Sequence, residues 1–147
     1  MSEPALHPPV PQGFAPYPAI SAFMGHIGPM FARQEEGGGI TLALWVAAPH
    51  LNHQGAAHGG MVATLADSAM GNHAARAAGA SVATVHLGID YLGRIQQGQW
   101  LEIRSALDRQ GKKLLFMQCV GLADGETVFR CSAIFSRIFL AANAAAR

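Results

Sequence analysis

The longest regular pattern in this chain, residues 59–78, constrains the fold most, because it is helical and consists largely of small residues. Met61, Leu65 and Ala69 fall on one stripe of such a helix, as a period of 3.6 residues requires. Most of the other residues are alanine, glycine or serine, so neighbouring elements can approach the helix closely from several sides. Gly79 follows as a typical C-terminal glycine. The pattern predicts one long helix with a sheet curled around it.

Segments on both sides of this helix alternate apolar and polar residues as β-strands do. Two candidate strands precede the helix and four follow it, most of them joined by short turns: 29–34, 40–46, 82–91, 100–109, 113–122 and 127–139. A single long helix against such a sheet is an α+β architecture. We therefore expect a mainly antiparallel sheet of five to six strands wrapped around the helix.

The strand that follows the helix, 82–91, predicts which side chains share a face. Simple alternation puts Val85, Leu87, Ile89 and Tyr91 on one face and Thr84 on the other.

Length and composition predict one domain with two tails. Five prolines lie between residues 4 and 16, so we expect residues 1–17 to form a flexible, proline-rich arm. The domain is expected over 18–140, followed by a frayed tail, 141–147. Cys119 and Cys131 fall in apolar strand-like runs and are expected to be buried free thiols.

The balance of charge limits the partners of the chain. Only 13% of the residues are charged, whereas about 25% is usual, which predicts that a second copy covers part of the surface. The net charge of +1, without a basic stripe, argues against nucleic acid. No apolar run approaches the length of a membrane span and no secretory signal is visible, so we expect a cytoplasmic protein without a membrane segment.

The loop before the helix carries the strongest chemical signal. Residues 52–60 read Asn-His-Gln-Gly-Ala-Ala-His-Gly-Gly, which puts two glycines at the helix start. Backbone N–H groups at such a start can hold a developing negative charge. Asp67 lies two turns further into an apolar helix, where a carboxylate is costly unless the protein uses it. Together these features indicate chemistry on a carbonyl group.

The loop, Asp67 and the strands that follow resemble the hotdog-fold acyl-CoA thioesterases of the phenylacetate-pathway (PaaI-like) type, over about residues 20–138. The resemblance implies that Asp67 is the catalytic carboxylate and that the N–H of Gly59 binds the thioester oxygen. It further implies that His58 and Asn52 shape the site and position substrate or water, and that Thr84 assists the nucleophilic water. The implied reaction is hydrolysis of an acyl-CoA to a free acid and CoA, and the sequence leaves open whether the acyl group is aryl or medium-chain.

The spacing of Gly59 and Asp67 predicts how the site is assembled. Eight residues of helix separate them, which is about 12 Å along one axis, whereas a reacting carbonyl needs both groups within about 3 Å. We therefore expect Gly59 of one subunit to work with Asp67 of the other across a two-fold axis. The expected assembly is a homodimer or a dimer of dimers.

The CoA moiety belongs to the substrate in this interpretation, and no separate cofactor is expected. Gly60 and Arg94 are the residues expected to contact CoA. Further cationic candidates for its phosphates are Arg109, Lys112, Lys113 and Arg137. Whether Asp67 acts as general base or as nucleophile through an anhydride stays open at this point.

Other functions remain as alternatives. The chain can be a non-catalytic acyl-CoA binding module, or a hotdog dehydratase acting on hydroxyacyl thioesters with His58 in an acid–base role. His50, His53 and His58 share one loop, but no His-Glu-x-x-His helix motif or cysteine cluster accompanies them, so no metal is expected. A Gly-x-Ser-x-Gly elbow is also missing, which argues against a serine hydrolase triad.

Overall fold

A computed structural model describes residues 7–139, in which a seven-stranded antiparallel sheet surrounds one long helix. The elements run in the order β1 (Ala15–Tyr17), α1 (Ala22–Gly25), β2 (Met30–Gln34), β3 (Ile40–Trp45), α2 (Gly59–Ala78), β4 (Val82–Tyr91), β5 (Trp100–Gln110), β6 (Leu114–Ala123) and β7 (Glu126–Arg137). The strand order in the sheet is β1-β2-β3-β5-β6-β7-β4. The predicted α+β hotdog architecture is thus confirmed.

The expected five to six strands were too few, because the segment predicted to be a flexible arm contributes β1. This short strand pairs with β2, with Pro16 opposite Phe31. Proline cannot donate to a ladder, so it is tolerated at the sheet edge that β1 occupies. Ahead of β1, Phe14 packs edge-on against Trp100 with ring centroids 5.2 Å apart. The predicted tail, 141–147, lies outside the described residues, and the domain boundaries stay predictions.

Helix α2 begins and ends where its capping residues predict. The Nδ1 atom of His58 accepts a hydrogen bond from the N–H of Gly60, and Gly79 adopts the left-handed conformation with φ 62°. One face of α2 is buried against β3 to β7 through Val62, Leu65, Ala66, Ala69, Met70 and Ala74. At Gly71 the sheet comes so close that a Cβ atom would lie 3.3 Å from the ring of Phe135. Small residues therefore let the sheet wrap the helix tightly.

The core lies between α2 and the concave face of the sheet. Fully buried apolar side chains from β3, β5, β6 and β7 meet the helix there, including Leu44, Leu101, Ile103, Leu115 and Phe129. Burying each such side chain contributes about 1.5–3 kcal/mol. This packing fixes the axial position of α2 and, with it, the position of Asp67.

Strand β4 lies at one end of the strand order and pairs with β7 on one side. Within residues 7–139, no strand pairs with its other side. Two apolar side chains of this ten-residue strand are strongly exposed, Val85 at 59% and Tyr91 at 52%. A long open edge with exposed apolar side chains is a surface on which another strand can pair.

A bulge in β4 corrects the predicted alternation of its side chains. Thr84 pairs with Phe135 and His86 with Ile134, so Val85 is the extra residue between two consecutive pairs. A bulge of this kind reverses the alternation locally. Thr84 therefore faces the helix together with Leu87, and its predicted place on the opposite face from Leu87 was wrong.

Candidate active site

Asp67 and Thr84 form one half of the candidate site. The hydroxyl of Thr84 donates a hydrogen bond of 2.6 Å to Oδ1 of Asp67. Asp67 is half-buried on α2, and Thr84 is exposed near the start of β4. The other carboxylate oxygen, Oδ2, receives no hydrogen bond from residues 7–139. The pair thus offers one oriented carboxylate with one oxygen available to a water or a substrate.

The first turn of α2 forms the other half. His58 accepts the N–H of Gly60 at 2.9 Å, so this N–H is already used in capping the helix. The N–H of Gly59 makes no hydrogen bond to any residue that the structure describes. It lies at the positive end of a 20-residue helix, where the dipole favours a negative charge. Gly59 therefore presents an unused donor suited to an oxyanion.

Tyr91, at the end of β4, fixes this helix start, and the sequence analysis gave it no role. Its hydroxyl donates a 2.6 Å hydrogen bond to the carbonyl oxygen of Gly59. The two residues are so close that a Cβ atom on Gly59 would lie 3.2 Å from the Tyr91 oxygen. Partial burial, and secondarily the charge of nearby Cys131, raises the pKa of Tyr91 above its ordinary value of 10, so the hydroxyl is a donor at neutral pH, as an unshifted tyrosine also is.

Asn52 organises the loop that leads into the helix. Its Oδ1 accepts hydrogen bonds from the N–H groups of Gln54, at 2.9 Å, and Ala56, at 3.2 Å. This is a local turn of the kind that asparagine favours. Arg94 donates a 2.6 Å hydrogen bond to the carbonyl oxygen of Gln54, which ties the guanidinium to the same loop. Asn52 and Arg94 therefore lie with His58 on the Gly59 side of the site.

Within one chain, the predicted site residues thus form two separate groups. Asp67 and Thr84 lie in the middle of α2 and beside it, whereas Gly59 lies at its first residue. The helix rise puts Gly59 and Asp67 about 12 Å apart. A single chain holds two half-sites rather than one complete centre.

Two adjoining cavities meet at Asp67 and Thr84. The first has a volume of about 330 Å³ and extends toward the C-terminal half of α2. The second, of about 580 Å³, is more open and extends toward the helix start. Both cavities are lined by Ile20, Met24 and Ser68 as well. The carboxylate therefore lies in the middle of an elongated, mainly apolar groove.

Several other candidates have structural roles. His50 is buried, its Nδ1 accepts the N–H of Ala47, and its Nε2 donates to the carbonyl oxygen of Ile27. Arg137 donates to the carbonyl oxygen of Ala78, at the opposite end of α2 from Gly59. Arg109 lies near the end of β5, and Lys112 and Lys113 lie in the turn to β6, away from both half-sites.

Three further observations concern metals, thiols and membranes. No group of three or more His, Cys, Asp or Glu side chains in the described part of the chain is arranged to hold a metal ion. Cys119 and Cys131 are buried free thiols that face each other across β6 and β7. Between residues 7 and 139 there is no helix with the length and apolar character to cross a bilayer.

Comparisons with known proteins identify the class. The thioesterase superfamily matches residues 54–129, which is more than half of the chain. A Pseudomonas aeruginosa protein named "Putative esterase" is 37% identical over 109 residues, which cover 73% of this chain and 81% of that protein. The chain therefore belongs to the thioesterase superfamily and is a thioester hydrolase.

Solved structures agree with this family. The phenylacetic acid degradation protein PaaI from Thermus thermophilus, solved as a mutant, is similar with a TM-score of 0.73 and 23% identity, covering 80% of this chain and 100% of that chain. A Bacillus halodurans protein solved with CoA has a TM-score of 0.69 and 27% identity, covering 75% and 74% of the two chains. The resemblance to PaaI-like hotdog thioesterases is confirmed.

Proposed function

We propose that this protein is an acyl-CoA thioesterase that hydrolyses an aryl or medium-chain acyl-CoA to a free acid and CoA. The observation that carries the proposal is the carboxylate of Asp67, oriented by Thr84 at the junction of two mainly apolar cavities. One cavity suits an acyl group, and the other suits the arm of CoA on the far side of the thioester.

A solved structure of similar fold supports a CoA thioester as the substrate. The Bacillus halodurans protein was solved with CoA. In this chain Arg94 is exposed and tied to the loop beside Gly59, where a cation can attract a phosphate. The hydrogen bond from the Gly60 N–H to His58 holds Gly60 in the first turn of α2, next to this loop. We propose that CoA enters as part of the substrate and that no cofactor is needed.

We propose that the complete site forms across a homodimer, with Gly59 of one subunit and Asp67 of its partner. The open edge of β4 is a suitable place for two copies to pair in an antiparallel manner, which brings two α2 helices side by side. Val85 and Tyr91 are exposed along that edge, and the Gly59 N–H still lacks an acceptor within the described residues. The low charge content agrees with a covered surface. We further propose that two such dimers can associate into a dimer of dimers.

The chemistry can follow two routes that the geometry supports equally. As general base, Asp67 takes a proton from water, the hydroxide attacks the thioester carbon, and the CoA thiolate leaves and accepts that proton. As nucleophile, Asp67 attacks the carbon itself and forms an anhydride that water then cleaves. In both routes the Gly59 N–H and the helix dipole stabilise the oxyanion. Label in Asp67 after a single turnover in ¹⁸O-water establishes the anhydride route, because oxygen from water enters this carboxylate only when water attacks the Asp67 carbonyl of an anhydride.

The proposed activity is tested with purified protein and a panel of aryl and aliphatic CoA thioesters. Asp67→Asn is expected to lower kcat by at least about 10²-fold, as loss of a general base does. Asp108→Asn is the matched control, because Asp108 is an exposed carboxylate on β5 that accepts a hydrogen bond from Gln118. A wild-type protein that binds these esters without turnover is a binding module. Formation of an unsaturated thioester instead of an acid indicates a dehydratase.

The predicted cytoplasmic location is part of the proposal. Acyl-CoA is an intracellular metabolite, and the two buried cysteines, although opposite each other in neighbouring strands, are free thiols. A reducing compartment keeps such a pair reduced.

A further inference from the structure

A further cavity, of about 320 Å³, lies beside the C-terminal half of α2, and the proposed thioester hydrolysis does not use it. His73 from α2 and Ser105 from β5 both line this cavity. His73 follows Asp67 by six residues, which puts it about 9 Å further along the helix axis and about 120° around it. Neither His73 nor Ser105 lines the two cavities that meet at Asp67. The His73 cavity is therefore separate from the candidate active site.

His73 and Ser105 have the arrangement of a base and a nucleophile. Nδ1 of His73 and Oγ of Ser105 are 3.0 Å apart. When the imidazole carries its hydrogen on Nε2, its Nδ1 accepts the hydrogen bond from the serine hydroxyl and can take that proton. Burial, and then the charge of Arg76, lowers the pKa of His73, so more of the imidazole is neutral at pH 7. The pair thus holds a hydroxyl and a free base in contact at the wall of a cavity.

Gly39, in the turn before β3, holds the imidazole in this position. A Cβ atom on Gly39 would lie 3.0 Å from Cε1 and 3.2 Å from Nδ1 of His73, so the backbone of the turn packs directly against the ring. The backbone of Gly39 is extended, with φ −79° and ψ 170°, a conformation that alanine also adopts. The close approach of the ring, rather than the backbone conformation, therefore requires glycine here.

Two guanidinium groups supply hydrogen-bond donors to the His73 cavity. Arg33 and Arg104 line it, and each has one ion pair, Arg33 with Glu35 and Arg104 with Glu102. Their other N–H groups have no acceptor within residues 7–139. Donors of this kind can stabilise the oxyanion that forms on an ester under attack. The carboxylates of Glu35 and Glu36 also line the cavity and balance the two positive charges, which favours an uncharged substrate.

We propose that Ser105, with His73 as its base, is a second nucleophilic site that cleaves small, uncharged carboxylic esters. Ser105 Oγ attacks the ester carbonyl carbon, and His73 Nδ1 takes the serine proton. The alkoxide leaves and accepts that proton from His73. Water then gives a proton to His73 and attacks the acyl-serine, and Ser105 Oγ leaves with that proton while the acid is released. This reaction uses no atom of Asp67 and goes beyond the proposed thioesterase activity.

The test treats the purified protein with an ethoxy fluorophosphonate and locates the adduct by peptide mass spectrometry. In this labelling Ser105 Oγ forms a bond to phosphorus, the phosphorus–fluorine bond breaks, and the serine proton passes to His73. We expect an adduct on Ser105 in the wild-type protein. The rate of labelling is expected to fall at least about 10²-fold in His73→Gln, as loss of a general base does.

Gly39→Ala is a second variant that leaves both reacting groups in the chain. Its methyl group is expected to displace the imidazole from Ser105 and to slow the labelling about 10- to 100-fold. Gly25→Ala is the matched control, because a Cβ atom on Gly25 meets nothing within 4 Å. This control is expected to label at the wild-type rate. If His73→Gln fails to fold, as circular dichroism reports, Gly39→Ala carries the test.

Hydrolysis of p-nitrophenyl acetate measures turnover at the same site. Asp67→Asn serves as the background, so that the proposed thioesterase centre does not contribute. We expect ester hydrolysis in this background and its loss when Ser105→Ala is added. A Ser105 that forms no adduct, or that labels equally fast in wild type and His73→Gln, overturns the second site and leaves the thioesterase proposal intact. Failure to hydrolyse any CoA thioester overturns the proposed function and leaves the second site intact.

Discussion

Thr84 holds the carboxylate of Asp67 through a hydrogen bond of 2.6 Å, and the bulge at Val85 makes this contact possible. The bulge turns Thr84 toward α2, on the same side of β4 as Leu87. The hydroxyl can therefore orient the carboxylate that we propose to be catalytic.

Removing this hydroxyl tests its role in orientation. Thr84→Val keeps the branched shape and deletes the donor, so kcat is expected to fall about 10- to 100-fold, as loss of a hydrogen bond to a charged group implies. KM is expected to change little. Thr84→Ser, which keeps the hydroxyl, should retain most of the activity in the same steady-state assay. Equal losses in the valine and serine variants would contradict the assigned role.

Tyr91 is expected to position the oxyanion donor. Tyr91→Phe removes its hydrogen bond to the carbonyl oxygen of Gly59 while the ring stays in place. Loss of one neutral hydrogen bond corresponds to a decrease in kcat of about 2- to 10-fold. Gly59→Ala should be more harmful in wild-type protein than in Tyr91→Ala, because the added methyl group meets the Tyr91 oxygen at 3.2 Å and its ring carbon Cζ at 3.3 Å. Strictly additive effects of the two substitutions on kcat would rule out this contact as the cause.

The open edge of β4 is expected to be the dimer contact. Val85→Lys puts a charge on an edge residue that is 59% exposed, a change that discourages pairing of strands. Analytical ultracentrifugation should then detect monomers without activity, and circular dichroism should detect an unchanged fold. Val120→Lys is the control, because Val120 is an exposed residue of β6, a strand inside the sheet. This variant should remain dimeric. A dimeric, active Val85→Lys variant would exclude this edge as the interface.

The stability of the protein is expected to fall in mild acid because of His73. Burial, and then the charge of Arg76, lowers the pKa of His73 below its ordinary value of 6.5. The unfolded chain therefore binds this proton more readily than the folded one, and the free energy of unfolding decreases as the pH falls below that value. Urea titrations between about pH 7 and pH 5 should show a smaller loss for His73→Gln than for wild type.

His53→Gln is the control in these titrations, since His53 is an exposed loop residue. It should follow the wild-type dependence on pH. A His73→Gln variant with the wild-type slope would contradict the role given to burial.

The sequence predicted the parts of the fold that local signals determine. Helix α2 was predicted over its observed residues, because a glycine pair begins it and Gly79 ends it. Strand β1 was missed, since three residues that include Pro16 carry no periodicity and form a strand only by pairing with β2. The hydrogen bond of 3.0 Å from Asn72 on α2 to the hydroxyl of Tyr17 on β1 was missed for the same reason.

The candidate site could be predicted from the sequence only in part. The spacing of Gly59 and Asp67 along one helix is a local property, so their separation followed from the sequence. Simple alternation predicted Thr84 and Leu87 on opposite faces of β4, and no local signal in the sequence revealed the bulge at Val85. The contact of Tyr91 with Gly59 joins residues 32 positions apart, which depends on how the sheet wraps the helix.

The central claim is that Gly59 and Asp67 act together from two different subunits. Mixing two inactive variants, Gly59→Val and Asp67→Asn, after unfolding and refolding together tests it most directly. A mixed dimer then has one site with both native groups and one with neither, so random association restores about a quarter of wild-type activity. Sites contained within single chains would instead leave the mixture as inactive as its two components, and that result would contradict the account.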